Sequence, residues 1–225
     1  MEKIVEACLS GEIPLEIACI IASQPEAGGL VRAKKLGITD QDITVVNPKD
    51  FLENGLVNQE KFGEVLVKVL ENHAVDIVSQ NGWLPMTPKN VIDRYRGNIF
   101  NQHPGPKKET RATYGIQPHA IMLFLCQKTN RNLGTEVIIH RVNENWDDGE
   151  TVARAEVPIL DIQESPETLQ KRALEYEHAL QIDFLKKLTN CRIEKVTNEK
   201  KYLLPEESGF LKAARRLARK NYPHG

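Results

Sequence analysis

The chain has 225 residues, 40% of them hydrophobic and 27% charged, and its 30 Lys and Arg against 31 Asp and Glu leave a formal charge of −1. That length supports one sizeable core, or one core plus a small appendage, and the composition is ordinary for a globular protein. The balance of charge excludes a global electrostatic footprint for nucleic acid or an anionic membrane and favours small-molecule partners, with monomer and homodimer both open. Cys8, Cys19, Cys126 and Cys191 are scattered, without a Cys-x-x-Cys pair or a His at zinc-finger spacing. Reduced thiols, no metal and a cytoplasmic location follow as expectations. The N-terminus is acidic and helical, and no stretch has the length of a bilayer span.

In chain order, 2–10 reads as a helix. The near-continuous apolar run over 15–23 is the pattern of a strand buried on both faces, and 29–36 reads as a short helix closed by Gly37. Strand signals recur at 42–46 and 75–79, on either side of a helix whose apolar spacing covers 59–72. The next predicted helix is 87–95, with Thr87 as its N-cap ahead of Pro88. A strand at 98–102 delivers His103 to a loop rich in Pro, Gly and Lys. Then come a buried helix over 118–128, strands over 136–142 and 151–158 around the Asp147 turn, and a long amphipathic helix over 165–188. This alternation predicts an α/β fold with a doubly wound, mostly parallel sheet. One domain over 1–194 and a tail over 195–225, with a basic helix at 210–220, complete the expected organisation. The sequence contains no internal repeat and no low-complexity segment.

Ligands of α/β sheets bind outside the carboxyl ends of the strands. Three predicted strand ends carry polar groups: Asn81-Gly82-Trp83, Asn101-Gln102-His103-Pro104 and Trp146-Asp147-Asp148-Gly149. An amide, an imidazole and a carboxylate that converge can donate to a developing oxyanion, hold a proton and steer it. Each motif also has a plainer reading. A His before Pro is a turn residue, Asp-Gly is a hairpin signal, His140 is a hydrogen-bonded core histidine, and Trp83 is a packing residue.

Taken together, Asn101, His103 and Pro104, then His140 seven residues before Asp147, then Gly149 and Val157-Pro158-Ile159, resemble the folate-dependent formyltransferases. Gly29-Leu30-Val31-Arg32-Ala33, Asp76-Ile77-Val78 with Asn81-Gly82-Trp83, and Glu175-Tyr176-Glu177-His178-Ala179 extend the likeness over roughly residues 1 to 190. The last segment resembles the branch acting on glycinamide ribonucleotide. The resemblance implies a Rossmann-like fold and formyl transfer from 10-formyltetrahydrofolate to the amine of glycinamide ribonucleotide, a step of purine synthesis, with no metal. It implies Asn101 and protonated His103 as oxyanion donors, Asp147 as proton acceptor and His140 as the residue seating Asp147. Trp83, Leu84, Met86, Glu144 and Asn145 would line the folate cleft, and Glu177 would bind ribose hydroxyls.

The chain also departs from the family pattern. Gly105-Pro106-Lys107-Lys108-Glu109 stands where the family has Ser-Leu-Leu-Pro, and Pro85 stands where an Arg is often found. Gly115-Ile116-Gln117-Pro118 resembles the transfer-RNA enzymes as much as the purine ones. Residues 1–4 align with the helix that follows the family's first strand and Gly/Ser-rich phosphate loop. The fold is therefore expected to lack its first strand, and the reading frame to extend upstream of Met1. Hydrolysis of the formyl donor, transfer to another amine, and non-catalytic binding of folate or nucleotide are the alternatives.

Overall fold

Short strands alternate with helices in the computed structural model, which describes residues 1–190, 193, 195–197 and 200–225. Two units of chain emerge, one formed by Met1–Asn101, Arg141–Asn145 and Leu185–Arg192, the other by Gln102–His140, Trp146–Phe184 and Ile193–Gly225. Cys8, Cys19 and Cys126 are free thiols, and Cys191 lies outside the described residues. Among the described residues, no helix is long and apolar enough to cross a membrane.

The first unit runs α1 (Glu2–Leu9), β1 (Ile20–Ala22), α2 (Gly28–Lys35), β2 (Ile43–Val45), β3 (Leu52–Glu53), β4 (Leu56–Val57), α3 (Gln59–Asn72), β5 (Val78–Gln80), α4 (Lys89–Arg94) and the start of β6 (Ile99–His103). β1 pairs in parallel with β2 and β5 with β6, while β3 and β4 are antiparallel. The apolar run at 15–23 yields a strand only over Ile20–Ala22, the length over which β2 pairs with it. The β3–β4 hairpin adds two strands to those that the sequence pattern predicts. Asn54 and Gly55 take φ of 52° and 80°, the two left-handed positions of a type I′ turn, which Asn-Gly favours.

α3 has the bounds its periodicity predicts. Asn58 accepts from the backbone N–H of Lys61 at 3.1 Å and caps it, and Phe62, Leu66 and Leu70 form its buried stripe. They pack with Val46, Val91, Tyr95 and Ile99 into the core of this unit. α4 begins later than expected. Pro88 is its N-cap, and the Thr87 hydroxyl accepts instead from Gln80 Nε2 at 2.7 Å. Gly63 of α3 lies so close to this corner that a Cβ there would meet Asn90 Oδ1 at 1.8 Å and Pro88 Cβ at 2.7 Å. Gly63→Ala is expected to cost about 1–3 kcal/mol through overpacking, despite alanine's better helix propensity. Urea denaturation checks this; a variant as stable as wild type would mean that α4 yields freely.

The second unit contains the end of β6, α5 (Lys107–Thr110), α6 (Gln117–Thr129), β7 (Thr135–Arg141, to His140), β8 (Thr151–Val157), α7 (Pro166–Thr189, to Phe184) and α8 (Ser208–Asn221). α6 is buried nearly all round, from Gln117 through Cys126. Six consecutive buried residues of β7 fit a strand covered on both faces. β7 and β8 pair antiparallel, so the α/β fold has mixed sheets. Ser165 caps α7 by accepting from the Thr168 N–H at 3.2 Å, and Pro166 follows at the first helical position. The basic helix expected at 210–220 is α8, and it packs against α6.

Candidate active site

β6 ends on the site. Its pleat sends residues 101 and 103 to one face and Gln102 to the other. Register pairs Gln80 with Asn101, so the carboxyl ends of β5 and β6, with Asn81-Gly82-Trp83 and Asn101, emerge side by side. His103 is the last strand residue rather than a loop residue, and it is 2% exposed.

In the second unit, His103, His140 and Asp147 come together. His103 Nδ1 stands 3.5 Å from Asp147 Oδ2, and His140 Nε2 stands 3.5 Å from Asp147 Oδ1. A register shift between Ile139 and His140 inserts a bulge where β7 approaches the turn, a device that re-aims a side chain. Asp147 adopts φ of 46°, a left-handed conformation that aspartate tolerates better than most residues. Its carboxylate is pulled both ways. Burial raises its pKa, but the His140 hydrogen bond, the neighbouring His103 and His140 imidazoles and the Ala112 N–H at 3.0 Å hold it below the usual aspartate value.

The segment after Pro104 supplies partners that motif reading missed. His103 Nε2 lies 2.8 Å from Thr110 Oγ1, and that hydroxyl donates to the Pro106 carbonyl at 2.8 Å. With its one hydrogen so used, Thr110 accepts from His103 Nε2–H, which fixes the proton on Nε2 and turns Nδ1 to Asp147. Gly105 makes room for this contact, because a Cβ there would lie 2.6 Å from Thr110 Oγ1. Lys107 Nζ donates to the Gly149 carbonyl at 3.1 Å, and Arg111 pairs with Asp148 at 2.7 Å. Nothing in the spacing of 105–112 announces these roles, since they arise only when the segment closes on the Asp147 turn.

Burial pushes the His103 pKa down to about 4, with Asp147 opposing and His140 adding to the fall. In this structure the imidazole is therefore neutral at pH 7, where the resemblance implies an imidazolium. His119 of α6 is likewise lowered to about 4, first by burial and then by His103, and neither ring nitrogen has a hydrogen-bond partner among the described residues.

Glu177 does not join the carboxylate at 147. It accepts from Gln102 Nε2, on the face of β6 opposite to His103, and burial lifts its pKa to about 7. The residues expected around the folate ring belong to the first unit. Leu84 is 55% exposed and Met86 is half-buried. Trp83 stacks on Phe62 at 6.2 Å, as a packing residue does, yet its indole N–H is buried without an acceptor among the described residues. Glu144 pairs with Lys89 at 3.2 Å, and the Asn145 N–H donates to Asn143 Oδ1 at 3.0 Å. An orphaned indole donor beside an exposed leucine suits a flat heteroaromatic ring that carries acceptor atoms.

The chain belongs to the formyl transferase family, whose sequence profile matches residues 1–185. A curated relative, phosphoribosylglycinamide formyltransferase of Haemophilus influenzae, is 31% identical over 195 residues, covering 86% of this chain and 83% of the relative. The solved phosphoribosylglycinamide formyltransferase of Brucella melitensis superposes with a TM-score of 0.69 at 27% identity, over 87% of this chain and 92% of that one. Glycinamide ribonucleotide transformylase 1 of Symbiobacterium toebii gives a TM-score of 0.72 at 21% identity, over 88% and 85%, a likeness of fold.

Proposed function

We propose that the protein transfers the formyl group of 10-formyltetrahydrofolate to the amine of glycinamide ribonucleotide, as a cytoplasmic enzyme of purine synthesis acting on small molecules. The observation that carries this reading is the meeting of His103, His140 and Asp147 in a member of this family. The folate supplies an activated one-carbon acyl group, and Trp83, Leu84, Met86, Glu144 and Asn145 hold it. Asn101 and His103 donate N–H bonds to the formyl oxygen as negative charge grows there. To do so His103 exchanges Thr110 for that oxygen, and the new charge, added to that of Asp147, raises the proton affinity of the imidazole. Asp147, an ionised acceptor seated by His140 and the Ala112 N–H, takes up the proton that leaves the attacking amine, directly or through water.

Glu177 binds the ribose hydroxyls, and ionised it accepts from both. Glu177→Ala is expected to raise KM for the ribonucleotide roughly tenfold or more, the worth of hydrogen bonds to a charged group, with kcat little changed. Since the carboxyl of Glu177 titrates at about 7, wild-type KM should fall as pH rises through that value and the variant's should not. A parallel pH course in both would remove Glu177 from the ribose site.

The reading itself is tested by incubating the protein with 10-formyltetrahydrofolate and glycinamide ribonucleotide, and separately with the folate alone. Product only when the amine is present supports transfer. Release of formate at the same rate without amine would make the protein a hydrolase, and no turnover in either arm would overturn both.

A further inference from the structure

We propose that α8, which lies beyond the matched family segment, is a positioning element for the site: Arg215 and Arg219 clamp the backbone of 108–112 so that Thr110 and Ala112 hold His103 and Asp147. This rests on the reading of His103 and Asp147 as the catalytic pair.

The sequence of α8 invites a blander view, that of a basic face in water. Two of its arginines do something else. Arg215 donates through Nε to the Glu109 carbonyl at 3.0 Å and through a terminal nitrogen to the Lys108 carbonyl at 2.7 Å, and Arg219 donates to the Ala112 carbonyl at 3.2 Å. α5 is a four-residue helix, so the carbonyls of Lys108 and Glu109 have no intrahelical partner, and a guanidinium fork satisfies both at once. Ala214 and Ala218, buried one helical turn apart, let α8 pack closely.

Each tether on the α8 side has a counterpart on the site side. Beside the carbonyls held by Arg215 is Thr110, which holds His103. Ala112 is itself the second link, its carbonyl on Arg219 and its N–H on Asp147. Ala112 adopts φ of 58°, a left-handed conformation unfavourable for alanine, and such a residue persists only where its surroundings over-determine it. The end of the chain secures the next turn. Gln117 donates to the Tyr222 carbonyl at 2.8 Å, and Gly225 fills the space a side chain on Gly115 would need.

The test uses the full chain with Arg215→Met, which keeps the aliphatic stem, Arg219→Met, Arg215→Lys, and Arg216→Met as a control on an exposed residue of the same helix. Two readouts are followed: kcat and KM for formyl transfer, and the imidazole NMR titration of His103. Ring motions of about an ångström cost on the order of a hundredfold in rate, so Arg215→Met is expected to lower kcat roughly ten- to a hundredfold with KM within about twofold. Its His103 midpoint should rise from about 4 as water reaches the ring, with Asp147, His140 and His119 still facing it. Arg219→Met should show a smaller change in the same direction, Arg215→Lys partial recovery, and Arg216→Met wild-type behaviour. If Arg215→Met does not fold, Arg219→Met and Arg215→Lys carry the comparison. Folded variants at both positions with wild-type kcat and an unmoved His103 midpoint would overturn the proposal while leaving the activity intact. A moved midpoint in a protein whose wild type transfers no formyl group would keep the brace and overturn the activity.

Discussion

Replacing His103 with alanine is expected to lower kcat for formyl transfer by about a hundredfold to a thousandfold, and Asn101→Ala by a similar factor, the usual loss of one oxyanion donor. The two substitutions should differ in side effects. His103 is almost wholly buried between Thr110 and Asp147, so its removal leaves a cavity and takes one partner from each of them. Asn101 is only partly buried, and its loss should leave a smaller cavity. Asp147→Asn keeps the shape but puts an amide among two imidazoles and the Ala112 N–H, and removes a negative charge that favours a protonated His103. With the proton acceptor gone as well, its kcat should fall at least as far as that of Asn101→Ala. Initial rates at saturating folate and ribonucleotide decide the matter. Undiminished turnover in either His103→Ala or Asp147→Asn would remove the catalytic role from this cluster.

Glu109→Gln should gain stability over wild type at high pH and not at low pH. Glu109 is buried and its pKa is raised to about 7, as is that of Glu177. A carboxyl raised in this way stabilises the fold fully below its unfolded value near 4.5, and the contribution is lost as pH climbs through about 7. His103 and His119 run in the opposite sense. Lowered from 6.5 to about 4, they contribute fully above 6.5 and lose that contribution as pH falls through about 4. Between these limits the raised carboxyls, Glu136 among them, and the lowered imidazoles oppose one another. Removing one carboxyl exposes the imidazole slope. Glu109→Gln is expected to gain up to about 3 kcal/mol at pH 8, the value of roughly 2.5 pKa units, and almost nothing at pH 4.5. Chemical denaturation at both pH values measures it, and an equal gain at both would mean that Glu109 is not held protonated in the fold.

Periodicity made much of the fold legible. The stripe Phe62, Leu66 and Leu70 set the bounds of α3, and the alternation of strand and helix signals gave the α/β class. What it misjudged depended on partners. Residues 15–19 carry the same apolar pattern as Ile20–Ala22 but lie outside the register with β2, and Thr87 turns its hydroxyl to Gln80 instead of capping α4. The Asn54-Gly55 turn is legible in its two residues. Within the site, His140 and Asp147 were accessible because their spacing follows from one strand and one turn. Thr110 and Ala112 were not, since their roles require the loop to close, and alanine is a residue from which sequence gives no reason to expect positive φ.

Gly105 and Thr110 carry a constraint on how this sequence can change. A serine at 105, as in the family pattern, would set its Cβ against the Thr110 hydroxyl, so the two positions are epistatic. A lineage gaining a side chain at 105 must first shrink or displace residue 110, and during that passage the His103 Nε2–H lacks its resting acceptor. The glycine and the threonine thus act as a matched pair, each setting the size that the other can have.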